Sequence, residues 1–137
     1  MSEAHHKEAQ ILLQKSKDDA YAFSRLSDDP RIRFWTLGFH VQQAVEKAIK
    51  AVLLNAGIQY PFTHDLETLL KVLKKESIPL PADAENIPRL SPFATLLRYE
   101  DDVDEDSACI SISADWLKSI VASTIKWAEE NLNKYER

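Results

Sequence analysis

The stretch that most constrains the fold of this chain runs from Phe39 to Gly57 and reads FHVQQAVEKAIKAVLLNAG. Residues that favour helices fill most of it, and it holds no proline and no glycine before Gly57. Its apolar residues recur every three or four positions, and a second apolar line widens the stripe. Gly57 suits the left-handed conformation that ends many helices. The pattern predicts a long helix, covered on more than one side, at the centre of an all-α domain.

Composition favours one soluble domain and excludes several kinds of site. The 137 residues are 45% hydrophobic and 28% charged, enough for a single core. With only two glycines, the chain has no glycine-rich phosphate loop, and without CxxC or HExxH motifs we expect no metal and no cofactor. The net charge of −5 does not favour nucleic acid. The single Cys109 and the lack of a long apolar segment predict a cytoplasmic protein without membrane contact.

The spacing of the apolar residues, together with the prolines and the candidate capping residues, predicts the other helices. Acidic residues before Pro30 favour a helix start at that proline, Thr63 is a candidate cap for a third helix, and Ser111 or Ser113 for the last. Gly38, inside a helix, predicts a close crossing of another helix or subunit. The stretches 77–88 and 100–106, one rich in proline and one acidic, are predicted to be irregular. The expected helices span about residues 4–26, 30–56, 64–76, 90–99 and 113–132.

The central stretch and the segments after it contain a series of short elements with a familiar order and spacing. These elements are Phe39, Gln43-Ala44, Glu46-Lys47, Lys50-Ala51-Val52-Leu53, Gly57, Thr63-His64-Asp65-Leu66 and Leu97-Arg98-Tyr99. Together they resemble the core signature of HEPN domains (higher eukaryotes and prokaryotes nucleotide-binding). The resemblance covers about residues 8–134 of the single expected domain, 1–137. The closing helix resembles the last helix of that family, and Glu100 stands where the family's Arg-Tyr-Pro element has its proline.

The resemblance implies an antiparallel, up-and-down bundle of four to five helices that usually forms a homodimer. Members of this kind often stand beside, or are fused to, a minimal nucleotidyltransferase domain. Some bind nucleotides. Others are metal-independent ribonucleases, including toxins, whose Arg-x4-6-His motif is contributed by both subunits.

Arg33 and His40 satisfy the spacing of that ribonuclease motif. If both lie in one helix, they share a face about two turns apart and can reach one phosphate. His40 would act as acid or base and Arg33 would stabilise the developing charge. Such a spacing also arises by chance, and the family's motif lies nearer the later helix, where Arg98 is followed by acids and no histidine. An acidic loop beside the site would repel RNA.

A second group of polar residues is a candidate ligand site. Lys47 and Lys50, with Gln42 and Gln43, can form the rim of a nucleotide pocket, or equally a solvated face or a dimer interface. His64, at a helix start, can contact a phosphate, or can serve only the first turn of its helix. Arg98 is the last candidate, and an ion pair with the acids after it is the simpler explanation.

Three hypotheses therefore stand. The leading one is a non-catalytic HEPN module that binds a nucleotide, a minimal nucleotidyltransferase partner, or both, in a two-component, toxin–antitoxin-like system. The second is a HEPN ribonuclease of toxin type that acts on RNA through Arg33 and His40. The third is a purely structural helical adaptor without a polar pocket. The aromatic and aliphatic residues of the long second helix argue for dimerisation.

Overall fold

The computed structural model describes residues 3–96 and 112–134. Within these ranges the chain is helical throughout and has no strand, so the predicted all-α class is confirmed. None of the helices described there is long and apolar enough to cross a membrane. The α-helices are α1 (Glu3–Leu26), α2 (Phe34–Asn55), α3 (Leu66–Lys75), α4 (Phe93–Leu96) and α5 (Ala114–Asn133), and a 3-10 helix spans Ala84–Leu90.

Helix α2 is the centre of the bundle, as its double apolar stripe predicts. It contacts α1, α3, α4 and α5, and more than half of its residues are buried. Helix α1 runs antiparallel to it, because Ser16 contacts Ala44 while the earlier His6 contacts the later Asn55. Small residues at the contact let the two backbones approach closely, and the fully buried Ser16 hydroxyl donates to the Ala44 carbonyl at 2.6 Å.

The segment between α1 and α2 corrects one prediction. Helix α2 begins at Phe34 and not at Pro30. Asp29 instead closes a turn, since its carboxylate accepts from the Arg31 backbone N–H at 2.9 Å and its carbonyl accepts from Ile32 at 3.0 Å. Arg33 is the N-cap of α2, with extended backbone and no capping by its side chain. The acidic residues before the proline thus make a turn of their own.

The other helix ends agree with the sequence in part. Gly57 follows α2 with a positive φ of 74°, as predicted. Ser113 caps α5 and accepts from the Trp116 N–H at 3.0 Å. The cap of α3 is Asp65, whose carboxylate accepts from Glu67 at 3.2 Å. Thr63 is therefore not the helix cap, although its hydroxyl accepts from the Asp65 N–H.

The segment between α3 and α5 is more ordered than its prolines suggest. A 3-10 helix begins at Ala84, inside the stretch predicted to be irregular, and ends two residues beyond it at Leu90, and α4 begins at Phe93. The indole N–H of Trp127 donates to the Pro79 carbonyl, and that of Trp116 donates to Asp83, so both tryptophans fasten this segment to α5. The end of the expected fourth helix, the acidic run 100–106, Cys109 and the alternative cap Ser111 lie outside the described residues.

Gly38 lies at a close helix crossing, as predicted. A Cβ atom built on it would lie 2.3 Å from Cε1 of Phe93, the first residue of α4. Phe93 is only 1% exposed and also packs edge-to-face against Phe34, with ring centroids 6.2 Å apart. Only glycine leaves room for this ring against the backbone of α2.

Candidate functional site

A buried carboxylate, that of Glu46 on α2, organises the polar face of this helix. Glu46 is only 4% exposed. Its oxygens accept hydrogen bonds from Gln42 Nε2 at 2.8 Å, Lys50 Nζ at 2.9 Å and His64 Nδ1 at 2.9 Å. Gln42 and Lys50 lie one helical turn to either side of it, and His64 comes from the segment that leads into α3. The carboxylate therefore joins two elements and is fully satisfied.

The environment of Glu46 keeps it ionised. Burial alone raises the pKa of this carboxyl, but the hydrogen bonds from Lys50, His64 and Gln42 and the positive charge of Lys50 outweigh it. The net result is a pKa below the ordinary value for glutamate. At neutral pH, Lys50 is consequently paired with a full negative charge.

A cleft of about 550 Å³ opens beside this network, between α1, the last turns of α2 and the segment 57–65. Aliphatic residues from α1, α2 and this segment form one part of its wall. Tyr60 and Phe62 add two aromatic rings, of which Phe62 is fully exposed. The ammonium group of Lys50 lies 5.6 Å from the centroid of the Tyr60 ring. The full lining is Leu12, Gln43, Glu46, Lys47, Lys50, Leu54, Ile58, Gln59, Tyr60, Phe62 and His64.

A second carboxylate, Asp19 on α1, lies behind the cleft and holds two residues of α2. Lys47 Nζ donates to Asp19 Oδ2, and His40 Nδ1 lies 3.2 Å from Asp19 Oδ1. All three side chains are largely buried. Because the carboxylate only accepts, His40 donates through Nδ1. This leaves its Nε2 as the second, proton-accepting nitrogen of the neutral ring.

Most of the candidate ligand residues come together in space. Gln43, Lys47, Lys50 and His64 all line the cleft. Gln42 is buried behind it, where its carbonyl accepts from Gln43 Nε2 at 2.7 Å. These side chains converge because positions 43, 47, 50 and 54 follow one stripe of α2. The candidate Arg98 lies outside the described residues.

The two residues of the ribonuclease motif have separate environments. The premise that both lie within one helix is wrong, since Arg33 precedes the first turn of α2 as its N-cap. Its guanidinium lies 5.4 Å from the centroid of the Trp35 ring. His40 lies inside α2 and contacts Asp19 and the ring of Phe39.

Sequence reasoning missed several residues of the site. Asp19 is 28 positions from Lys47 and carries no motif, so its pairing depends on the register of α1 against α2. Tyr60 and Phe62 lie between the second and third expected helices and belong to none of the matching family elements. Glu46 is one of those elements, but its burial was not predicted. The described residues contain no group of three or more His, Cys, Asp or Glu side chains placed to hold a metal ion.

The all-α bundle and its signature residues agree with a comparison against protein families. The model of the HEPN domain matches residues 9–137. This chain belongs to the HEPN domain family. Searches of the curated proteins and of the solved structures gave no significant match. In this HEPN domain the cleft lies where signature residues of α2, Gln43 to Lys50, meet His64.

Proposed function

We propose that this HEPN domain is a non-catalytic module that binds a nucleotide in the cleft beside Glu46. The observation that carries the proposal is the convergence of Gln43, Lys47, Lys50 and His64 on one cleft with an aromatic wall. Ligand sites are commonly clefts of this size, mostly apolar, with a few polar groups that fix orientation.

The two parts of the cleft suit the two parts of a nucleotide. Tyr60 and the exposed Phe62 offer ring faces on which a base can stack. Lys47 and Lys50 supply ammonium groups for a phosphate. His64 donates to Glu46 through Nδ1, so it offers an Nε2–H and a positive charge to a phosphate when its ring is protonated. The amides of Gln43 and Gln59 remain to hydrogen-bond the sugar or the base edge.

Thermal unfolding in the presence of nucleotides tests this proposal. The four ribonucleotides, each as mono-, di- and triphosphate at millimolar concentration, are compared with buffer alone. A ligand that binds only the folded state raises the Tm by mass action, by several degrees when its concentration is about 100 times its Kd. The shift should disappear in Lys47→Ala and remain in Lys118→Ala, an exposed lysine of α5 away from the cleft. A panel without any shift would contradict the proposal.

We also place this domain in a cytoplasmic two-component system, as a homodimer that pairs with a minimal nucleotidyltransferase. Members of the family usually form homodimers and often stand beside a minimal nucleotidyltransferase, which supports the pairing. The half-buried Trp35 at the start of α2, with the Arg33 guanidinium over its ring, offers a surface for dimerisation. Co-expression with a minimal nucleotidyltransferase encoded beside this chain should give one complex in size-exclusion chromatography. Separate elution of the two proteins would contradict the pairing.

One observation favours a second candidate, the metal-independent cleavage of RNA. The Asp19 carboxylate orients the His40 ring, which is the arrangement that prepares an imidazole for proton transfer. Incubation of RNA with the wild-type protein and with His40→Ala separates this function from nucleotide binding. Cleavage that is lost in His40→Ala would identify an enzyme, and intact RNA with both proteins agrees with the non-catalytic module.

A further inference from the structure

The charges around the cleft nearly cancel one another. Lys50 is paired with the ionised Glu46, and Lys47 is paired with Asp19. Each ammonium group that faces the cleft therefore has a carboxylate within hydrogen-bond distance. Other titratable side chains near this network are His64, which is more than half exposed, His40 behind Lys47, and Tyr60 in the cleft wall.

Two carboxylates act on the hydroxyl of Tyr60. Burial raises the pKa of this hydroxyl, and the negative charges of Glu46 and Glu8 raise it further. Glu8 is an exposed residue of α1, one turn before Leu12 of the cleft wall. Carboxylates therefore act on the aromatic side of the cleft, and the two lysines of the same cleft are already paired.

We infer that the cleft takes a nucleoside monophosphate in preference to the corresponding diphosphate and triphosphate. This inference rests on the proposed function and names its ligand class. A single phosphate group can share Lys47 with Asp19 and, when the His64 ring is protonated, accept from its Nε2–H. Each further phosphate adds negative charge that no unpaired cation in the described cleft balances, next to Glu46 and Glu8. A lysine that is already paired with a carboxylate attracts a further phosphate less strongly than an unpaired one.

Isothermal titration calorimetry with metal-free protein in EDTA tests the inference. EDTA keeps magnesium from masking the charge difference between the ligands. AMP, GMP, CMP and UMP are each compared with their di- and triphosphates at pH 7.5. Two additional negative charges near Glu46 and Glu8 predict a Kd about tenfold higher for the triphosphate of the base that binds best.

The outcomes distinguish this inference from the proposed function. A monophosphate that binds more tightly than its triphosphate supports both. A triphosphate that binds equally or more tightly overturns the inference and leaves nucleotide binding standing. If none of the twelve nucleotides binds, the proposed function fails and the inference fails with it.

A charge variant outside the network tests the physical cause. Glu8→Gln removes an exposed carboxylate that acts on Tyr60, and it leaves the paired side chains unchanged, so the fold should be unaffected. It should tighten triphosphate binding by about twofold more than monophosphate binding, because the more negative ligand gains more. The matched control is Glu130→Gln, which removes an exposed carboxylate of α5 and should change neither affinity. An unchanged ratio in Glu8→Gln would overturn the electrostatic origin of the preference.

Discussion

Two sites on α2, Gly38 and Glu46, are eight residues apart and make contacts of different kinds. At Gly38 the helix meets Phe93, and the contact is purely steric: there is no room even for a methyl group. At Glu46 the helix meets His64, and the contact is polar: one carboxylate satisfies three donors beside an open cleft. Gly38 and Phe93 are both buried, whereas the His64 side chain that contacts Glu46 is more than half exposed. The comparison separates a contact that serves only stability from one that also forms part of the proposed nucleotide site.

Phe93→Ala should give the largest effect. Truncation of this buried ring leaves a cavity, so the free energy of unfolding should fall by about 3–5 kcal/mol. Urea unfolding measures it. The matched control is Phe62→Ala, the same substitution at a fully exposed ring, which should change stability by less than about 0.5 kcal/mol. Nucleotide affinity should weaken in Phe62→Ala and stay unchanged in Phe93→Ala. If both variants lose stability equally, the contrast between the two sites is wrong.

Glu46→Gln should cost about 2 kcal/mol at pH 7, because the neutral amide accepts more weakly from Lys50 and His64. The pKa of Glu46 is lowered in the folded protein, so its contribution is present above the ordinary glutamate range. That contribution is lost as the pH falls through the lowered folded value. Urea unfolding from pH 7 to pH 3 should therefore show the difference between Glu46→Gln and wild type shrinking below about pH 4.5. A constant difference would mean that the charge of Glu46 is unimportant.

Gly38→Ala should destabilise by about 1–2 kcal/mol, the balance of overpacking against the better helix propensity of alanine. The double variant with Phe93→Ala gives a sharper test. Once the ring is absent, the added methyl group meets no obstacle, and Gly38→Ala should become stabilising by up to about 1 kcal/mol. Thermal or urea unfolding of the wild type, the two single variants and the double variant gives the four stabilities of this double-mutant cycle. An effect of the same sign in both backgrounds would show that Phe93 is not the obstacle.

Asp65→Ala should have the smallest effect, about 1 kcal/mol, because it removes the side-chain cap of α3. Thr63→Ala should cost less, since the Thr63 hydroxyl accepts only from the N–H of Asp65, ahead of the helix. His64 lies between the two residues, so the pair also tests whether the start of α3 positions the cleft. Weaker nucleotide binding in Asp65→Ala than in Thr63→Ala would support that role, and the reverse order would contradict it.

Much of the fold can be predicted from local signals in this chain. The stripe of α2, the left-handed Gly57 and the cap at Ser113 depend on residues within one or two turns, and all three predictions are confirmed. The start of α2 was missed for a physical reason. An acidic residue before a proline stabilises an isolated turn as well as a helix, and here Asp29 closes such a turn with Arg31.

The site was predictable only along α2. Gln43, Lys47 and Lys50 follow one helical stripe, so their convergence is a local property. Asp19 and Leu12 join them only through the register between α1 and α2, which is a tertiary property. The exposure of Phe62 and the burial of Glu46 likewise depend on how the segment 57–65 lies against α2. The spacing of apolar residues along the sequence predicts neither the exposure of Phe62 nor the burial of Glu46.

The buried hydrogen bonds between α1 and α2 determine how this cleft can change its width. One hydrogen bond joins Ser16 to Ala44 near the middle of the helices, and another joins His6 to Asn55 near one end. Together they hold α1 and α2 in a fixed register as one wall of the cleft. The opposite wall is the short segment that carries Tyr60 and His64. Its contacts with α2 include the ring contact of Tyr60 with Lys50, the bond from His64 to Glu46 and the hydrogen bond from the Ile58 N–H to the Leu53 carbonyl. We therefore expect any change in the width of the cleft to come from this segment, while α1 and α2 keep their register.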